Sequence, residues 1–199
     1  MLISNSNHLD FGCGENPRNP FNLLNVYSCD IYQSNAKHYS IMEPGNSIPF
    51  EDGFFDSVSA YDVLEHLSRE GNPSDFVFYM NEMYRVLKPG GQALFVFPLY
   101  NRKDFFDDPT HINPTTLALF KFFSSSGQNP YTGITTQYEI VKLVKLINWD
   151  RWVYQPEVNK ASSQESVSVR RRASLTKRSI MRILRPSHGL FIGRKPKED

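Results

Sequence analysis

The stretch His8-Leu9-Asp10-Phe11-Gly12-Cys13-Gly14 places an acidic residue and two glycines at the end of a short apolar run. A Gly-x-Gly turn after a first strand lets backbone N–H groups come close to a bound molecule. In dinucleotide sites that turn holds a pyrophosphate at the start of a helix, with a third small residue for packing. Here Pro17 stands at the third glycine position, between Asn16 and the Asn19-Pro20 pair, so no regular helix can start with the usual packing. Asp10 opposes a pyrophosphate and suits a cationic ligand. Asp30 lies 16 residues beyond Gly14, at the end of a second β-like run. A carboxylate there can accept both hydroxyls of a ribose, although a lone Asp after a strand also serves as a turn or helix cap.

These residues need strands to carry them. β-like runs recur at HLDF (8–11), VYSCDI (26–31), HYSIM (38–42), DSVSAY (56–61) and QALFVF (92–97). Between the fourth and fifth, SDFVFYMNEMYRVL (74–87) reads as a helix capped by Asn72 or Ser74. Phe76, Met80, Met83, Tyr84 and Leu87 fall on one of its faces. KPGG (88–91) is expected to stop it. A second helix is expected over TTLALFKFF (115–123), a half-exposed strand over YEIVKLVKLI (138–147) and a last strand at GLFIGRKP (189–196). Strand–helix–strand order with nearly continuous apolar strands implies a parallel sheet covered by helices.

The length of 199 residues suits one α/β domain. Cys13 and Cys29 are the only cysteines, which excludes a disulfide framework and a four-thiolate metal site. The opening MLISNSNH lacks the basic start and long apolar run of a secretory signal, and ALFVFPLY is too short for a membrane span. A cytoplasmic location is expected. Residues 1–159 carry 11 Lys/Arg against 18 Asp/Glu, whereas 160–199 carry 11 against 3. The basic tail, with RRRASLTKRSIMRILR (170–185) at its centre, is either a solvated helix or a contact for an anionic acceptor or membrane surface. Nucleic acid is not expected, because the body is acidic and no aromatic–basic platform accompanies the tail.

Taken together, LDFGCG (9–14), SCDI (28–31), IPFEDGFFD (48–56) and LKPGG (87–91) resemble the ordered motifs of class I S-adenosylmethionine-dependent methyltransferases. The resemblance covers roughly residues 8–98. It implies a doubly wound Rossmann-like α/β sheet, mostly parallel with an antiparallel last strand and helices on both faces. The prolines add the expectation of a first helix that is shortened or replaced by a loop. One domain would span 1–199, with core motifs in 8–98, acceptor-side loops and helix in 99–135, and final strands with a basic helical insert in 136–199.

The resemblance also implies the cofactor, S-adenosyl-L-methionine, and its contacts. Asp10, Gly12 and Gly14 would face its amino-acid part, Asp30 the ribose, Ile31 and Glu43 the adenine, and Tyr61 the region of the sulfonium. The acceptor would be a small molecule or saccharide, anionic in character, such as a cell-envelope precursor. A general base is expected in DFFDDPTHINP (104–114), from Asp107, Asp108 and above all His111, whose unperturbed pKa suits proton transfer near neutrality. His66 is expected to be structural, and no metal is expected. The rival readings are a non-catalytic cofactor-binding or scaffold subunit, and a nicotinamide oxidoreductase, which Pro17 and Asp10 disfavour.

Overall fold

The computed structural model describes residues 6–34, 37–70, 74–125, 127, 132–147 and 186–197. Its strands are β1 (Asn7–Phe11), β2 (Asn25–Asp30), β3 (Tyr39–Ile41), β4 (Phe55–Tyr61), β5 (Leu87–Pro98), β6 (Glu139–Ile147) and β7 (Pro186–Arg194). They form one sheet in the order β3-β2-β1-β4-β5-β7-β6. β1 to β5 pair in parallel, and β7 runs against both β5 and β6. The chain winds outward from β1 in one direction and then from β4 in the other. This places a topological switch point at the carboxyl ends of β1 and β4, where open α/β sheets bind their ligands.

Alternation along the central strands builds two cores. Leu9, Phe11, Val58, Ala60, Ala93, Phe95 and Phe97 share one with Phe76, Met80 and Met83 of α1 (Asp75–Arg85) and with Phe120 of α2 (Leu117–Phe120). Leu94, Val96, Tyr61, Leu190 and Ile192 form the other with Phe21. Ser74 caps α1, its hydroxyl accepting from Val77 N–H, and Thr116 caps α2 in the same way through Leu119 N–H. α1 ends at Arg85, before KPGG. Residues 88–91 belong instead to the irregular start of β5, where the partners step from Phe55–Leu87 to Ser57–Gln92. The second helix is shorter than expected and finishes as a 3-10 turn over Lys121–Phe123.

Two features of the helix layer bear on the site. Both described α-helices contribute to the same core, on one face of the sheet. Of the two alternatives for the first helix, the loop is the one found: residues 12–24 lay Phe21 and Leu23 over the opposite face. The cause is local. Pro17 and Pro20 have no N–H to give a helix. Arg18 N–H donates to the Asp10 carboxylate at 2.7 Å. Asn19 brackets Leu23, its carbonyl accepting from Leu23 N–H at 3.0 Å and its amide donating to Leu23 C=O at 2.8 Å. Asn22 takes a left-handed φ of 51°. The basic segment 170–185 lies outside the described residues.

Arg85 locks the approach to β4. It donates to both Glu82 oxygens and to Asp52, each at 2.7 Å, and to the carbonyls of Phe50 and Ile48. Glu82 is buried and also accepts from Ile48 N–H at 2.8 Å. Arg85→Ala would strand that carboxylate, so a loss of about 2–3 kcal/mol in unfolding free energy is expected. Urea denaturation checks it, and a variant within about 0.5 kcal/mol of wild type would show the clamp to be idle.

Candidate active site

The glycine turn stands at the carboxyl end of β1. Gly12 has φ 68°, and its N–H donates to Cys29 C=O at 2.8 Å. A Cβ here would sit 2.5 Å from Cγ2 of Val63, so only glycine lets the turn close against the segment following β4. Gly14, with φ 56°, faces open space. Its N–H donates to Asp30 Oδ2 at 2.8 Å, and Tyr32 N–H donates to Oδ1 at 3.1 Å. The carboxylate is held beside the turn with acceptor capacity to spare. Ile31 is exposed next to it. Glu43 lies in the turn after β3, where its exposed carboxylate accepts from the Asn46 amide at 3.1 Å, while Met42 N–H bonds Asp30 C=O.

Asp10 has a different role from an exposed ligand group. It is 2% exposed and accepts from Ser59 Oγ as well as from Arg18 N–H, both at 2.7 Å. Ser59 is 3.0 Å from His8 Nε2, and His8 Nδ1 is 2.7 Å from Ser57 Oγ. Since Ser59 commits its proton to Asp10, His8 carries its own ring proton on Nε2 and accepts at Nδ1. Burial lowers the His8 pKa to about 3 and raises that of Asp10 to about 6, against the backbone and side-chain hydrogen bonds that oppose the shift. Tyr61, buried at the end of β4, carries the Arg18 guanidinium over its ring at 4.4 Å.

A second group of side chains gathers after β4 and β5. Glu65 and His66 lie in the 3-10 turn Leu64–His66, and His111 lies in the loop after β5. The loop is stitched to the turn by Asn113, whose N–H donates to Glu65 C=O at 2.8 Å and whose amide donates to Leu64 C=O at 2.9 Å. Ile112 N–H shares the Glu65 carbonyl. This brings His111 Nε2 to 3.8 Å from Glu65 Oε1, with His66 Nε2 at 3.9 Å from the same oxygen. Glu65 is 1% exposed, its Oε2 has no hydrogen-bond partner, and burial pushes its pKa up to about 8. Asp108 Oδ2 is 3.7 Å from His111 Nε2, and the Asp108 carboxylate also accepts from Thr110 N–H and Oγ1.

Sequence reasoning placed His111 and Asp108 in this region. It missed Glu65 and read His66 as structural, because neither turn nor spacing reveals that these two residues, 46 and 45 positions before His111, converge with it across two loops. Asp107 ends the 3-10 turn Lys103–Asp107 with an exposed side chain and stands apart from the three converging groups.

Residues 9–95 match a family model described as a methyltransferase domain. The fold is similar to that of a SAM-dependent methyltransferase from Archaeoglobus fulgidus, at 18% identity over 96% of this chain and 86% of that one, TM-score 0.54. It is similar also to a chain in a complex between the Haloferax volcanii Trm112 methyltransferase activator and a methyltransferase, at 10% identity over 96% and 83%, TM-score 0.56. A third likeness is to Haemonchus contortus phosphoethanolamine N-methyltransferase 2, solved with S-adenosyl-L-methionine, at 12% identity over 96% and 49%, TM-score 0.54.

The sheet order is that of a Rossmann-like methyltransferase fold, and the segment 9–95 is similar to a methyltransferase domain. The cofactor that this likeness implies is S-adenosylmethionine. The residues fit that molecule. Gly12 and Gly14 keep the turn free of Cβ atoms, Asp30 has unused lone pairs beside open space, and the buried carboxylate of Asp10 favours a cation over a phosphate. Among the described residues, no helix is long and apolar enough to cross a membrane.

Proposed function

We propose that the cofactor lies along the carboxyl ends of β1, β2 and β4, with Asp30 on its ribose, Ile31 against the adenine, and the turn 12–14 beside its amino-acid part. Asp10 acts there at one remove. Both its oxygens are engaged within the chain, so it shapes the loop 13–18 and supplies negative potential. Arg18, stacked on Tyr61, is positioned to pair with the cofactor's carboxylate. Glu43 drops from the inner set, since its carboxylate is turned to Asn46. When bound, the cofactor supplies an electrophilic methyl group on a sulfonium sulfur. The chain's task is to align an acceptor atom with it and to take up the acceptor's proton.

The observation that carries the acceptor side is the convergence of Glu65, His66 and His111 one short step from the glycine turn, with Val63 packed on Gly12. His111 Nδ1 faces Phe105 C=O at 2.7 Å, so that nitrogen carries the ring proton and Nε2 is the basic atom. Asp108 flanks it, and Asp107 has no part. Tyr100 and Phe106, exposed on the same loop, offer flat apolar surfaces suited to a sugar ring. An anionic saccharide or cell-envelope precursor also matches the charge of segment 170–185, which would add a weak membrane-surface contact. The two buried free thiols suit a reducing, cytoplasmic setting.

The test is methyl transfer from isotopically labelled S-adenosylmethionine to a panel of anionic and neutral saccharides. His111→Ala should keep S-adenosylhomocysteine affinity and lose at least about 100-fold in rate, as expected for removal of a proton-transfer group. A chain that binds the cofactor yet transfers to no acceptor would favour the scaffold reading.

A further inference from the structure

We propose that Glu65, His66 and His111 form a binding site for one divalent first-row transition ion of the Zn2+ type. The donor atoms of the three side chains all lie within 4.8 Å of one another. His111 Nε2 and His66 Nε2 stand 3.8 and 3.9 Å from Glu65 Oε1. Ligand atoms around a tetrahedral ion with bonds of about 2.1 Å are about 3.4 Å apart, so each histidine would move about half an ångström toward Glu65 Oε1, and the two rings would close on each other from within 4.8 Å.

Three observations separate this cluster from an ordinary ion pair. First, the distances are too long for hydrogen bonds, so neither imidazole satisfies Glu65. Second, Glu65 Oε2 is buried without a hydrogen-bond partner, a costly state for a carboxylate that an ion held by both of its oxygens would relieve. Third, both rings are oriented as metal-binding histidines are. His111 Nδ1 meets Phe105 C=O at 2.7 Å and His66 Nδ1 meets Thr110 C=O at 3.1 Å, which fixes the proton on Nδ1 and turns the Nε2 lone pairs inward. Asp108 Oδ2 lies 3.7 Å from His111 Nε2 but outside the cluster of three.

Two imidazoles with one carboxylate select zinc-like ions over Mg2+ and Ca2+, which prefer oxygen. His66 is partly exposed, leaving an entry path and room for water. Binding of the ion does not depend on the methyl-transfer reading; only its use does. An open coordination position would take an acceptor oxygen and acidify it, and His111 Nε2 would then serve as a ligand in place of a base.

The experiment titrates the full chain, stripped with chelator and dialysed, with Co2+ followed by visible absorption and with Zn2+ followed by calorimetry. The expected result is one ion per chain and a d–d spectrum of a nitrogen-ligated ion. His66→Ala and His111→Ala should each weaken binding at least about tenfold, the size of effect that losing even a ligand's supporting hydrogen bond has. His38→Ala, on the approach to β3, should not change it. Absence of a d–d spectrum in the wild-type chain overturns the inference, whatever the variants do. So does Zn2+ affinity that both alanine substitutions leave intact, or Mg2+ binding as tight as Zn2+. S-adenosylhomocysteine affinity measured on the same samples separates the two readings: retained with no metal bound, it removes the metal site and spares the cofactor site.

Discussion

Asp30→Ala is expected to weaken S-adenosylhomocysteine binding by about 10–100-fold, equivalent to about 1.5–3 kcal/mol for hydrogen bonds to an ionised acceptor. The carboxylate has two functions at once. It accepts from Gly14 N–H at 2.8 Å and from Tyr32 N–H at 3.1 Å, so it holds the glycine turn against the end of β2. Its remaining lone pairs are the ones available to the ribose. The alanine variant loses both the direct bonds and the brace on the turn. Asp30→Asn keeps one accepting oxygen and should fall between wild type and alanine. Calorimetric titration reads all three, and equal affinities would remove Asp30 from the site.

Asp10→Asn should change the pH dependence of stability more than the stability itself. The variant can still accept from Arg18 N–H, and its amide can donate to Ser59 Oγ. In the folded chain the Asp10 pKa is raised from 3.8 to about 6, mainly by burial. The folded state therefore keeps a proton that the unfolded chain loses between about pH 4 and 6, and this stability is lost as pH rises through about 6. His8 works in the other direction. Its pKa, lowered from 6.5 to about 3, means the unfolded chain binds a proton that the folded chain refuses, so stability rises with pH over that window. The two slopes oppose each other between about pH 4 and 6. Removing the carboxyl should uncover the histidine slope. The unfolding free energy of Asp10→Asn relative to wild type should move by about 2 kcal/mol in the variant's favour from pH 4 to pH 7. Parallel stability curves would show that Asp10 does not carry a buried charge.

The strands and α1 were legible because their signals are local. Period-two and period-3.6 patterns, with Ser74 as a cap, depend on neighbours in the chain. The glycine turn and Asp30 were legible for the same reason, since their chemistry is fixed by position at strand ends. The loop 12–24 was half legible: Pro17 and Pro20 announce that a regular helix fails there. What replaces it depends on Asp10 Oδ2 capturing Arg18 N–H, a contact set by side-chain geometry. The acceptor side was least legible. Glu65 and His111 meet because Asn113 ties its loop to the Leu64 and Glu65 carbonyls, a long-range stitch that no spacing rule encodes.

Calorimetric titration of the full chain with S-adenosylhomocysteine, beside NADH, addresses the cofactor site most directly. Binding of one S-adenosylhomocysteine per chain in the micromolar range or tighter is expected, with loss of affinity in Asp30→Ala and no heat from NADH. Failure to bind S-adenosylhomocysteine, or binding of NADH in its place, would contradict a site built from Gly12, Gly14 and Asp30 for a phosphate-free cation.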